Sequence, residues 1–155
     1  METANDENSI RAPILALDLG RKRVGIAVSD ALSVSITRLA ALDRTNWKQL
    51  LRDVSDLVLR FDAQTVVIGL PLRLNGSTGD AAAEARGIAG KFARSLKLPV
   101  YLQDERLSSA EAEESLRREG HTRKGVSALV DSEAAAIILR DFLNTDQNRM
   151  LVSPA

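Results

Sequence analysis

Residues 14–29 read ILALDLGRKRVGIAVS, and this stretch decides the fold. Two β-rich runs, 14–19 and 23–29, flank a Gly-Arg-Lys sequence at 20–22, so they are predicted to pair as a hairpin with a glycine-containing turn. The second run alternates bulky and small residues, which gives that strand one small face that another element must approach closely. A third run at 34–39 is predicted to complete an antiparallel meander.

Helices and strands alternate through the rest of the chain. In order, the predicted elements are a helix capped by Asn46, a strand at 65–70, a helix beginning at Asp80, a strand at 100–102, a helix from Ser108 to Gly120 and a helix from about Asp131 to Leu143. This order predicts an α/β fold. Its mixed five-stranded sheet has an antiparallel first part and a parallel second part, with helices on both faces. The carboxyl ends of its parallel strands meet at one edge, where functional loops collect.

The composition is that of one soluble globular domain, with 155 residues, 45% hydrophobic and 27% charged. We expect a disordered segment at 1–11, a single domain at 12–144 and a loose tail at 145–155. The chain shows neither a membrane-spanning run nor a secretory signal, so we expect a cytoplasmic protein.

The counts of metal-binding residue types restrict the chemistry. Cysteine is absent and His121 is the one histidine, which excludes disulfides, thiolate zinc sites and clusters of imidazole ligands. A metal must therefore bind oxygen, and carboxylate sites suit magnesium or manganese. A Ser-His-Asp hydrolase is also disfavoured, because His121 lies in a basic loop without a nucleophile-elbow motif.

The formal net charge of zero conceals an uneven distribution. Three of the 21 acidic side chains lie in the N-terminal head, so residues 10–155 carry 21 basic and 18 acidic side chains, a net charge of +3. The basic residues cluster at 21–23 and between 117 and 124. Such patches are typical of nucleic-acid contact, although solvated loop residues give the same pattern.

Three carboxylates are predicted to converge at the carboxyl edge of the sheet. Asp18 is the charged residue in an apolar strand, Glu105 follows the fifth strand, and Asp131 begins the last helix. Each also has an ordinary explanation: an ion pair with the turn, a loop salt bridge and a helix N-cap, respectively. If they meet, two hard cations could be held there and could clamp a phosphodiester.

Four segments closely resemble the YqgF family of pre-16S ribosomal RNA nucleases, which is related to the RuvC Holliday junction resolvases. These segments are LDLGRKRVGIA (17–27), GLPL (69–72) followed by Gly76, DERLS (104–108) and DSEAA (131–135). The resemblance covers roughly residues 12–143. One departure is that Gly125–Val130 is apolar where the family often has a strongly basic stretch.

The resemblance implies a ribonuclease H-like fold, a bacterial cytoplasmic location and a magnesium or manganese site on Asp18, Glu105 and Asp131. The implied activity is trimming of the 5′ end of the small-subunit rRNA precursor, with cleavage of branched DNA as the older proposal. Nucleic acid would be the partner, without a membrane, and a homodimer is compatible with this assignment. The residues expected to contact substrate phosphates are Arg21, Lys22, Arg23, Arg106, Arg123 and Lys124.

Two other hypotheses stay open. The domain could bind RNA or an assembly partner without cutting, in which case its affinity would fall steeply with salt and would not respond to chelators. It could instead be a phosphotransferase of the actin and sugar-kinase group, whose Asp-x-Gly hairpin also binds phosphate. Those enzymes close two domains around ATP, which a 155-residue chain could do only as a dimer.

Overall fold

The computed structural model describes residues 10–71, 79–104, 123–144 and 149–154, with the side chains of the last helix described from Ser132 onward. The predicted helix at 108–120 lies outside these residues. The strands are β1 (Ile14–Leu19), β2 (Arg23–Ser29), β3 (Ile36–Asp43), β4 (Thr65–Leu70), β5 (Val100–Asp104) and β6 (Arg149–Leu151). The helices are α1 (Trp47–Phe61), α2 (Asp80–Leu96) and α3 (Arg123–Asn144).

The strands form one mixed sheet in the order β3-β2-β1-β4-β5-β6. The pairs β1/β2 and β2/β3 are antiparallel, whereas β1/β4 and β4/β5 are parallel. This confirms the predicted meander followed by parallel strands. The antiparallel sixth strand, β6, was not predicted; it lies in the segment expected to be a loose tail and pairs with β5.

Two elements begin at residues other than those predicted. The third strand starts at Ile36 because Asp30 Oδ1 accepts hydrogen bonds from the backbone N–H groups of Val34 and Ser35, which keeps these residues in a turn. The last helix starts at Arg123, so the expectation that Asp131 begins it is wrong. The apolar spacing of Val126, Leu129 and Val130 continues the helical period, and it extends the helix ahead of the residue that resembled an N-cap.

The first helix follows the sequence prediction closely. Asn46 has extended backbone geometry and its side chain accepts a hydrogen bond from the N–H of Gln49 at 2.9 Å, which caps α1. Leu50 and Val54 are buried on the stripe that faces the sheet. At the other end Asp62 closes the helix in the left-handed conformation, with φ of 52°. Helices α1 and α2 cover the same face of the sheet.

The sheet separates two hydrophobic cores. On the α1/α2 face, the bulky residues of β1, β2 and β4 pack with Leu50, Val54 and Phe92. On the opposite face, the small residues Ala16 and Ala27 let α3 pack close to the strands. The predicted small face of β2 is therefore explained by α3. Strand β4 is buried along its whole length, as a central strand covered on both faces must be. None of the described helices combines the length and apolar character needed to cross a bilayer.

Candidate active site

Asp18 lies near the carboxyl end of β1 on the face covered by α3. It alternates with Ile14 and Ala16, which belong to the α3-side core, so its side chain leaves the sheet on that face. Only 8% of Asp18 is exposed. A carboxylate buried to this extent is costly unless charges or hydrogen bonds compensate it, which marks the position as a candidate site.

Glycines surround Asp18 in the plane of the sheet. Gly25 of β2 is its direct partner in the antiparallel register. On the other side, the β1/β4 pairing runs through Leu17 and Ile68, and the next residue of β4 is Gly69. Because glycine has no side chain, the sheet carries no side chain on either side of the carboxylate at these two positions. A ligand or its phosphate could therefore approach the strands closely.

Gln103 of β5 lies on the same face of the sheet as Asp18. It pairs with Gly69 in the parallel register and alternates with Leu102, which packs on the opposite, α1/α2 side. Two strand spacings of about 4.8 Å separate β1 from β5, so Asp18 and Gln103 stand about 10 Å apart across Gly69. Gln103 is 2% exposed, and its Oε1 has no hydrogen-bond partner in the described structure. Buried amide oxygens rarely lack a partner, so this acceptor stands out among the described residues of the region.

The β1–β2 turn beside Asp18 is fixed by backbone hydrogen bonds. Gly20 N donates to Asp18 O at 3.1 Å, and Arg44 N donates to Lys22 O at 2.8 Å. The Arg44 guanidinium adds a bond from Nη1 to Gly20 O, also 2.8 Å. With its backbone held this way, the turn presents three exposed cationic residues, 21–23, at the end of the strand that carries the buried acid.

Helix α3 is anchored to β3 by the two residues that follow Asp131. Ser132 Oγ donates to Leu39 O at 2.7 Å, and Glu133 forms an ion pair with Arg38. Both helix residues are buried. These contacts fix the position of the helix where it crosses the sheet, and the backbone of Asp131 is one residue away.

The structure describes the predicted site only in part. Asp18 and the turn cations Arg21, Lys22 and Arg23 lie at one end of the sheet, as predicted. Glu105 and Arg106 lie outside the described residues, as do the side chains of Arg123, Lys124 and Asp131. Among the residues that are described, no group of three acidic or histidine side chains is placed to hold a metal ion. Convergence of the three acids therefore stays a prediction.

Sequence reasoning did not assign three residues of this region, Gln103, Arg38 and Glu133. The alternation of Tyr101 and Gln103 along β5 was a usable signal for Gln103, because it places a polar side chain on a buried face. The Arg38–Glu133 pair joins residues 95 apart in the chain. No local pattern indicates such a contact.

Comparison with known proteins gives a consistent result. A family model described as RuvX, Holliday junction resolvase, matches residues 12–145. A protein of Gloeothece citriformis named "Putative pre-16S rRNA nuclease" is 40% identical over 137 residues, covering 88% of this chain and 89% of that protein. A protein of the same name from Picosynechococcus sp. is 38% identical, covering 86% and 92%. These matches confirm the resemblance found in the four sequence motifs.

Solved structures agree with the predicted ribonuclease H-like fold. Thermus thermophilus RuvC in complex with a Holliday junction substrate superposes with a TM-score of 0.55 at 16% identity, covering 85% of this chain and 96% of that one. The Fowlpox virus resolvase in complex with Holliday junction DNA gives 0.52 at 13% identity, covering 86% and 100%. At such identities the likeness shows a shared fold.

Proposed function

This chain belongs to the RuvX family of Holliday junction resolvases, and from that membership we propose that it is a metal-dependent nuclease that processes the 5′ end of pre-16S rRNA. The observation that carries the proposal is the buried carboxylate of Asp18 on a sheet surface lined by glycine. The names of the relatives at 38–40% identity favour the RNA substrate.

We assign Asp18, Glu105 and Asp131 as the metal ligands. Glu105 directly follows Asp104, the last residue of β5, and the alternation that puts Gln103 on the α3 face would put position 105 there too if the strand geometry continues. Position 131 stands four residues before Ala135, which packs against the sheet from α3. These placements support the assignment, and the three acids would act as ligands rather than as proton carriers.

The residues fit magnesium or manganese. Carboxylate oxygens, together with the amide oxygen of Gln103, which has no partner among the described residues, form a set of hard donors without sulfur or imidazole. Gln103 would accept a hydrogen bond from a water molecule of the hydrated site, which would satisfy its Oε1. When bound, a pair of divalent cations supplies activation of a water molecule and neutralises negative charge on the phosphate in the transition state.

The remaining residues of the site would position the substrate. The exposed cations of the β1–β2 turn, Arg21, Lys22 and Arg23, are proposed to bind phosphates on either side of the scissile bond, and Arg106, Arg123 and Lys124 to extend that contact. Gly69 places no side chain beside Asp18 that would obstruct the sugar-phosphate backbone. These contacts would bind the sugar-phosphate backbone without distinguishing the base sequence.

The decisive experiment compares two Asp→Asn variants on a pre-16S RNA substrate in manganese. Asp18→Asn should abolish cleavage and leave the melting temperature nearly unchanged, because the carboxylate, not the fold, is lost. Asp56→Asn makes the same chemical change at an exposed position of α1 and should cleave like the wild type. Cleavage that survives in purified Asp18→Asn would contradict the assignment, as would wild-type cleavage that resists chelation.

Branched DNA is the second candidate substrate, favoured by the description of the matching family. Resolution of a four-way junction needs two coordinated cuts and hence two active sites, so this activity would require a homodimer. Trimming of a single RNA end needs one site. Measuring cleavage of both substrates alongside the oligomeric state in solution therefore separates the two functions.

A further inference from the structure

A groove opens on the α1/α2 face of the sheet, next to the β1–β2 turn. Its volume is ≈ 650 Å³, within the range of about 300–1,000 Å³ typical of small-ligand pockets. The lining residues that matter here are Arg21, Arg44, Trp47, Glu84, Gly87 and Lys91. We call it the Arg21–Lys91 groove. It lies on the face opposite Asp18, and the turn at 20–22 stands between the two.

The charge of the groove is positive. Among its described lining residues, three are cationic, Arg21, Arg44 and Lys91, and one is acidic, Glu84. Arg44 Nη2 donates to Glu84 Oε1 at 2.5 Å, so the acid is neutralised within the wall. Arg21 and Lys91 then give the groove a net charge that attracts anions.

Trp47 orients Lys91 in the groove. The Lys91 ammonium lies 4.4 Å from the centroid of the indole ring, a distance at which the cation is attracted to the ring face. Trp47 itself packs against the core of the sheet, so the ring is a fixed support. A lysine held in this way loses less side-chain freedom when it binds an anion than a free surface lysine does.

Gly87 leaves the middle of the groove wall without a side chain. It lies near the centre of α2, where glycine is unfavourable relative to alanine. A Cβ built at this position would have no neighbour within 4 Å among the described residues outside its own helix turn, so their packing gives no reason for glycine here. What the missing side chain does provide is access of a ligand to the helix backbone from the groove.

We propose that the Arg21–Lys91 groove binds the sugar-phosphate backbone of a single-stranded nucleic-acid segment that leaves the active site across the β1–β2 turn. A cationic groove with an aromatic ring is the combination by which proteins follow single strands. The volume is that of a small-ligand site, so it suits a short stretch of one strand. The proposal rests on the proposed function, since Arg21 would contact both the cleavage site and the groove.

The test is binding of a 12-nucleotide oligouridine, measured in the presence of a chelator so that cleavage plays no part. Trp47 is the one tryptophan of the chain, so its fluorescence reports on the groove directly. Binding should change this fluorescence. Lys91→Gln should weaken binding several-fold and lower the slope of log K against log salt by about 0.7, the value for one phosphate contact on a single strand.

The matched control is Arg60→Gln. Arg60 is also exposed and lies over an aromatic ring, with its guanidinium 5.1 Å from the centroid of Phe61. It stands thirteen residues beyond Trp47 on the same helix, about 20 Å away by the helical rise. It should bind like the wild type. Equal losses in Lys91→Gln and Arg60→Gln would overturn the proposal, because they would mean general attraction to net charge.

Gly87→Leu supplies an independent test by filling the groove. The open space around position 87 and the high helix propensity of leucine should keep the melting temperature at or above that of the wild type, while affinity for the oligonucleotide falls at least about tenfold. Wild-type affinity in this variant would refute the proposal. If groove variants bind normally while Asp18→Asn abolishes cleavage, the groove proposal alone fails. If the chain never cleaves but Lys91→Gln and Gly87→Leu weaken binding, the nuclease proposal alone fails.

Discussion

Gly87→Ala should stabilise α2, because it replaces a glycine inside the helix by the residue with the highest helix propensity. Glycine inside a helix is about 0.8–1.0 kcal/mol less favourable than alanine. Within the part of the chain that the structure describes, the added methyl group would meet no atom of another element within 4 Å, so no such clash offsets this gain. The free energy of unfolding should therefore rise by about 1 kcal/mol, which for a domain of this size raises the melting temperature by about 2–4 °C.

Urea unfolding followed by far-ultraviolet circular dichroism measures this change, with an unchanged slope of free energy against denaturant. Gly90 provides the comparison within the same helix, because it is buried where Gly87 is exposed. A methyl group at position 90 adds volume to a buried region, so Gly90→Ala should gain less than Gly87→Ala or lose stability. A fall in stability for Gly87→Ala, or equal gains at both positions, would refute the reasoning.

Two further predictions concern α3. Glu133→Gln removes the charge that pairs with Arg38 at a largely buried position. It should lower the free energy of unfolding, measured by urea denaturation, by about 1–2 kcal/mol, a range that is reduced because Arg38 is partly exposed. An unchanged midpoint would show that the pair does not anchor the helix. Burial raises the pKa of Asp141 above its ordinary value of 3.8, and the charge of Arg140 opposes this shift only partly. The ionised carboxylate therefore destabilises the folded state when the pH is above the folded-state pKa, and this destabilisation is absent when the pH is below 3.8. Asp141→Asn should therefore raise the melting temperature relative to the wild type at pH 7 and lose that advantage near pH 3, and an advantage that grows on acidification would contradict this sign.

Local patterns in the sequence were sufficient for most of the fold. The hairpin at 14–29 and the Asn46-capped helix follow from alternation, turn residues and capping, which act between neighbours in the chain. The order of elements then limited the sheet to few topologies. The family resemblance led to the same fold.

Features that depend on tertiary contact were not predicted. Strand β6 has three residues and forms by pairing with β5, so its own sequence carries little signal. The start of α3 was misplaced because aspartate often caps helices, whereas Asp131 lies inside one. The Arg38–Glu133 pair depends on how α3 crosses β3. For β6 and for the ion pair, the deciding interaction joins segments that are distant in sequence.

The position of β6 has a consequence for the motif that begins with Asp104. Strand β6 pairs with the outer side of β5 and forms the edge of the sheet. Thermal opening of the sheet from this edge must therefore separate β6 before it can affect β5. The three-residue strand β6 is therefore the edge strand that opens first. During such brief openings β5, which leads to Glu105, keeps its pairing with β4.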